Sequence, residues 1–113
     1  MKITHENSKL VLGNNIIPAT SFIRRLRGYM FYKSPKQSFD GIYFPNAKTI
    51  HNCFVRFSID AIFIDKNNHI VKILKGFKPW RFSLIYFKAS HVLELPQNTV
   101  TDNIKVGDRL LFD

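Results

Sequence analysis

Turn-forming residues punctuate this chain at short, even intervals, and that spacing favours short strands. Gly13-Asn14-Asn15, Ser34-Pro35, Asp40-Gly41, Pro45-Asn46, Asn67-Asn68, Gly76 to Pro79, Pro96-Gln97-Asn98 and Gly107-Asp108 each interrupt it. Gly and Asn tolerate positive φ, and Pro cannot donate to a ladder. Between the breaks lie runs of β-branched and aromatic residues, which suit a pleated, half-buried surface. The expected fold class is mainly β: a single-domain antiparallel β-sandwich or flattened barrel over residues 1–113, with one or two short helices. A chain of 113 residues buries roughly two-thirds of its unfolded surface, enough to fold without metals or disulfides.

The clearest unit is a hairpin. Ala61-Ile62-Phe63-Ile64 and His69-Ile70-Val71-Lys72-Ile73-Leu74 flank Asp65-Lys66-Asn67-Asn68, whose Asn residues accept the backbone angles of a tight turn. The first arm is apolar on both faces, which places it in the middle of the fold. One short helix is expected over residues 20–27. Thr20 or Ser21 caps it, Phe22, Ile23 and Leu26 form its apolar face, and Gly28 ends it. Arg24, Arg25 and Arg27 then sit near a C-terminus whose dipole favours cations.

Charge narrows the class of partner. The net charge is +9, divided as +11 over residues 1–88 and −2 over residues 89–113. Such a surplus attracts polyanions: nucleic acid, anionic lipid or acidic polymers. It also fits a lysine-rich solvated surface. Hydrophobic residues make up 45%, too many for a disordered basic tail. Cys53 is the single cysteine, so there is no internal disulfide and no multi-cysteine metal site. The segment Met1 to Asn7 lacks the apolar core of a secretory signal. No run approaches the roughly 18 apolar residues of a membrane span. The expectation is a cytoplasmic protein acting as a monomer, with no transmembrane segment.

Polar residues cluster in an otherwise apolar stretch. Read as a strand, Ile50–Phe57 puts Ile50, Asn52, Phe54 and Arg56 on one face and His51, Cys53, Val55 and Phe57 on the other. A buried Asp60 needs a cation, and Arg24, Arg27 and Arg56 are the candidates. Two readings stay open: a fold-specifying ion pair, or a ligand cleft built on the same residues. Cys53 with His51 as a nucleophile pair lacks an orienting third group. His5, His51, His69 and His91 are widely separated, so no metal or cofactor is expected. No Gly-rich phosphate loop and no G-x-S-x-G elbow occurs. Of 16 aromatic residues, 15 fall between positions 22 and 87, in the region that carries the positive charge. The segment Gly76-Phe77-Lys78-Pro79-Trp80-Arg81-Phe82 reads as a surface loop in which Trp80 offers a stacking platform, or as a loop covering one end of the core.

Five blocks occur in order: Ala19 to Met30; Gly41-Ile42-Tyr43-Phe44 with Ile50 to Asp65; Lys78-Pro79-Trp80-Arg81; Val92-Leu93-Glu94-Leu95-Pro96; and Val106-Gly107-Asp108-Arg109-Leu110. Together, from about residue 8 to the C-terminus, they resemble the bacterial and archaeal family numbered 192 among the domains of unknown function. The resemblance implies a compact, mainly antiparallel β-sandwich or barrel and brings no reaction, substrate or cofactor. The chain departs from the family pattern at Tyr29, Val55 and Gln97-Asn98, where the family usually has Leu, Met and a small residue followed by Gly.

The leading expectation is a non-enzymatic binding or accessory domain. Its cleft would present Arg24, Arg27, His51, Asn52, Arg56, Asp60 and Trp80 to a small anionic or polar ligand. The alternatives are a small hydrolase-like enzyme using His51 and Asp60, and a basic protein associated with single-stranded nucleic acid.

Overall fold

Strand β5 (Ile59–Ile64) is buried along its whole length, and the fold is organised around it. The computed structural model describes residues 1–19, 29, 32 and 38–113. The other strands are β1 (Ile3–His5), β2 (Val11–Gly13), β3 (Ile16–Pro18), β4 (Gly41–Pro45), β6 (Ile70–Phe77), β7 (His91–Pro96) and β8 (Leu110–Phe112). They form a five-stranded sheet in the order β3-β4-β7-β5-β6 and a three-stranded sheet in the order β2-β1-β8. All pairings are antiparallel except β3 with β4. The molecule is a flattened arrangement of two sheets rather than a closed barrel, and every regular element among the described residues is a strand. The expected helix over residues 20–27, with Arg24 and Arg27, lies outside the described residues.

Side-chain alternation along β5 divides the core. Ile62 and Ile64 join Ile3, Ile16, Leu93, Leu95 and Leu110 between the two sheets. Ile59, Ala61 and Phe63 join Ile42, Phe44 and Val92 on the other face of the large sheet. Ile50, Val55, Ala89 and the Tyr29 and Phe39 rings cover that second cluster. A central strand covered on both faces has no use for the polar alternation of a solvated one, which explains the continuous Ile-Asp-Ala-Ile-Phe-Ile run. Gly41 is required where β4 meets β7: a Cβ there would lie 2.8 Å from the Glu94 carbonyl oxygen.

The hairpin forms as its sequence predicts. Asn68 takes φ 67°, and the Asp65 carboxylate accepts the Asn67 and His69 amides at 2.8 and 3.0 Å. The expected strand over Ile50–Phe57 does not form. Apart from one bridge between His51 and Phe82, residues 50–57 are irregular. Phe54 turns into the left-handed region at φ 61°, so the period-2 assignment of faces fails there. The extended backbone resumes at Ile59.

Candidate ligand groove

A bulge in β6 shapes an open recess at the edge of the large sheet. Ile59 pairs with Phe77 and Ala61 with Leu74, so Lys75 and Gly76 together oppose Asp60. Gly76 adopts φ +64°, the conformation that suits glycine at such a bulge. The extra residue leaves amides without ladder partners, and Asp60 supplies one. Its Oδ1 accepts the Gly76 amide at 3.0 Å, and its Oδ2 accepts the Val100 amide at 3.0 Å. The acid near the start of β5 therefore holds the bulge and the chain after β7.

Asn52 does comparable work on the opposite face of the sheet. Its Nδ2 donates to the Phe57 and Phe77 carbonyls at 3.2 and 3.1 Å. Its backbone amide donates to the Arg81 carbonyl at 2.9 Å, and its carbonyl accepts the Trp80 amide at 3.0 Å. One buried residue, through its side chain and its backbone, thus ties residues 52–57, the end of β6 and the loop 78–82 into a single wall. Phe54 and Trp80 both sit at φ 61°, unusual for bulky residues and a local strain of about 1–3 kcal/mol each. Their rings meet edge to face with centroids 4.7 Å apart, and both remain substantially exposed.

These constraints frame an open groove of about 380 Å³ lined by Ile73, Leu74, Lys75, Gly76, Phe77, Lys78, Arg81 and Phe82. Its chemistry is cationic and aromatic. Lys75 pairs with Asp102 at 2.8 Å; the hydrogen bond it donates to Asp102 holds the ammonium pKa above its usual value. Among the described residues, no carboxylate comes within ion-pairing distance of Lys78, Arg81 or Arg56. The arrangement can accept an anion beside an apolar surface.

Of the sequence-predicted site residues, Trp80 stands at the groove's rim, because its neighbours Lys78, Arg81 and Phe82 line it, and Asn52 builds the wall. Arg56 is solvent-exposed and does not meet Asp60. Asp60 is buried and accepts two backbone amides, and no arginine among the described residues pairs with it. His51 uses Nδ1 to accept the Cys53 amide at 3.2 Å, with its ring 6.1 Å from that of Phe82. Asp60 shares the face of Ile62 and Ile64, whereas His51 follows Ile50 on the other side of the large sheet. The structure does not bring His51 and Asp60 together. Arg24 and Arg27 lie outside the described residues.

Two buried polar centres have no counterpart among those residues. Glu94 in β7 projects with Val92 toward Ala61 and Ile42. Burial raises its pKa to about 8. The nearby Tyr29 phenol is also raised, by burial first and by the Glu94 charge second. The other centre is His5. Its Nε2 meets Asp108 Oδ2 at 2.7 Å and its Nδ1 meets Ser8 Oγ at 2.7 Å. The Ser8 amide points at the same Nδ1, and Ser8 Oγ accepts the Leu10 amide. That constellation ties the β1–β2 turn to the loop before β8. Its partners are 103 residues apart, a separation no local pattern reveals. Among the described residues, no cluster of three or more His, Cys, Asp or Glu side chains forms a metal site.

The profile of a family described as "Uncharacterized ACR", number 192 among the domains of unknown function, matches residues 3–112. The chain belongs to this family. A UPF0127 protein of Pyrococcus horikoshii is 32% identical over 113 residues, with 96% of each chain covered. A UPF0127 protein of Pyrococcus furiosus is 33% identical over 96 residues, with 81% of each chain covered. Among solved structures, a candidate transcription regulator of Sinorhizobium meliloti superposes with TM-score 0.79 at 19% identity, covering 97% of this chain and 89% of that one. At that identity the likeness establishes the fold alone. The groove, the Asp60 clip and the Asn52 knot thus belong to a β fold shared with uncharacterised relatives.

Proposed function

We propose that this member of the family is a non-enzymatic binding module whose groove beside the β6 bulge takes an anionic or polar ligand. The observation that carries the reading is the pair Lys78 and Arg81, which line one groove with Phe77 and Phe82 and lack a carboxylate partner among the described residues. Cations without internal partners keep their hydrogen-bonding capacity for a ligand. Trp80 neighbours the same surface in the chain, while Asn52 and Asp60 position it. The separate partners of His51 (the Cys53 amide and the Phe82 ring) and of Asp60 (the Gly76 and Val100 amides) support a binding module over the hydrolase-like alternative. The exposed Phe54–Trp80 ring pair beside Arg81 favours single-stranded nucleic acid as the second reading. A cytoplasmic setting accords with the free Cys53 thiol. No helix among the described residues is long and apolar enough to cross a membrane.

The test is a titration with tripolyphosphate, followed by Trp80 fluorescence and by amide shifts over residues 73–82. Saturable shifts confined to the groove are expected, weakened roughly tenfold or more by Lys78→Gln/Arg81→Gln. Shifts that are absent, or unchanged in that variant, would remove the reading. Quenching of Trp80 by a thymidine oligonucleotide, with strong salt dependence, would favour the second reading.

A further inference from the structure

The groove opens onto an exposed apolar ribbon. Phe82, Leu84 and Phe87 are 75%, 75% and 79% exposed, and Trp80 and Ile85 are each 56% exposed. Isolated exposed apolar side chains are ordinary, but five within eight residues form a patch that calls for a partner. This exposure is built into the fold. The Ser83 amide donates to the Ile50 carbonyl at 2.9 Å and the Tyr86 amide to the Lys48 carbonyl at 2.9 Å. Lys48 Nζ clasps the Phe87 and Ala89 carbonyls. Tyr86 turns inward and meets Phe63 edge to face with centroids 4.7 Å apart. The backbone is therefore pinned at both ends and in the middle, with the apolar side chains held outward.

Charge identifies the occupant. Lys78, Arg81 and Lys88 flank the ribbon, and no Asp or Glu occurs in residues 66–93 or 41–59. Two copies of this chain meeting on the ribbon would juxtapose like charges. A single strand of nucleic acid would use the rings but leave Leu84 and Ile85 without bases to stack on. An anionic bilayer satisfies both halves: lipid headgroups meet the cations, while aromatic and aliphatic side chains enter the interface. We propose that residues 80–88 dock this protein onto anionic lipid surfaces, with headgroup phosphates seated at Lys78 and Arg81. The inference rests on the anion-binding reading of the groove and names its source.

Trp80 is the only tryptophan, so its emission reports the patch without a label. The full chain is mixed with phosphatidylcholine vesicles and with phosphatidylcholine–phosphatidylglycerol vesicles, and both co-sedimentation and Trp80 emission are measured. Co-sedimentation and a blue shift with the anionic vesicles alone are expected. Lys78→Gln or Arg81→Gln should each weaken partitioning roughly fivefold, and Phe82→Ser/Phe87→Ser should abolish the blue shift. If anionic vesicles fail to bind while tripolyphosphate still titrates the groove, the membrane inference falls and the binding module stands. If neither binds, both fall. Co-sedimentation that Phe82→Ser/Phe87→Ser leaves unchanged would overturn docking by the ribbon. A lipid-independent Trp80 shift that grows with protein concentration, without anionic-vesicle binding, would overturn it in favour of a second copy.

Discussion

Strand β5 and the ribbon 80–87 are both mostly apolar by composition and opposite in burial. β5 places Phe63 at the centre of the large sheet, where it meets Tyr86, and all six of its residues are buried. The ribbon contributes only Tyr86 to that core and turns Trp80, Phe82, Leu84, Ile85 and Phe87 outward. The difference lies in what the backbone is tied to. β5 has ladders on both sides, so each side chain faces one core cluster or the other. The ribbon is held along residues 47–52 by scattered bonds, with no sheet to bury its outer side chains. Hydrophobic content alone therefore does not separate buried from exposed segments in this fold; the hydrogen-bond partners do.

Substitutions can break that comparison. Phe63→Ala should have the largest effect, a loss of about 3–5 kcal/mol in urea unfolding, because the site is closed on all sides. Asp60→Ala should follow at roughly 2–4 kcal/mol, since it strands the Gly76 and Val100 amides. Asp60→Asn should recover only part of this loss, because an amide side chain has one acceptor oxygen where two amides need one each. Retention of full stability in Asp60→Ala would show that the bulge does not depend on the clip.

Glu94 gives a pH signature from within the sheet. Its folded pKa of about 8 lies above its ordinary 4.5, so the folded state binds the extra proton between those values. The resulting stabilisation is complete below pH 4.5 and is lost as pH rises toward 8, at up to about 1.4 kcal/mol per pH unit. Glu94→Gln should flatten that slope and raise stability above pH 8 relative to the parent chain. A slope that persists in Glu94→Gln would assign it to another group. The smallest effect belongs to the ribbon: Phe87→Ser should shift unfolding by no more than about 0.5 kcal/mol.

Parts of this architecture were legible in the sequence. The β5–β6 hairpin was, because Asn67-Asn68 and the flanking runs agree on one turn and one pairing. The family was, because its blocks keep their order. The strand expected over Ile50–Phe57 was not realised, since its β-type composition is overruled by Asn52. That side chain bonds backbone carbonyls from two segments, and Phe54 leaves the extended region. The amide partners of Asp60 were hidden for a related reason: they lie 16 and 40 residues away, and among the described residues no arginine joins them. The burial of Glu94 within Leu-Glu-Leu follows only once both neighbouring strands are placed. Phenylalanine in a small β domain usually fills a core, so the exposure of Phe82 and Phe87 emerges only from the bonds that pin the ribbon.

The most direct test is one protein measured twice. Phe82→Ser/Phe87→Ser should unfold within about 1 kcal/mol of the parent chain in urea while losing its partition onto anionic vesicles. A cooperative loss of stability like that of Phe63→Ala, or vesicle binding equal to the parent's, would contradict the division between a folding core and a docking ribbon.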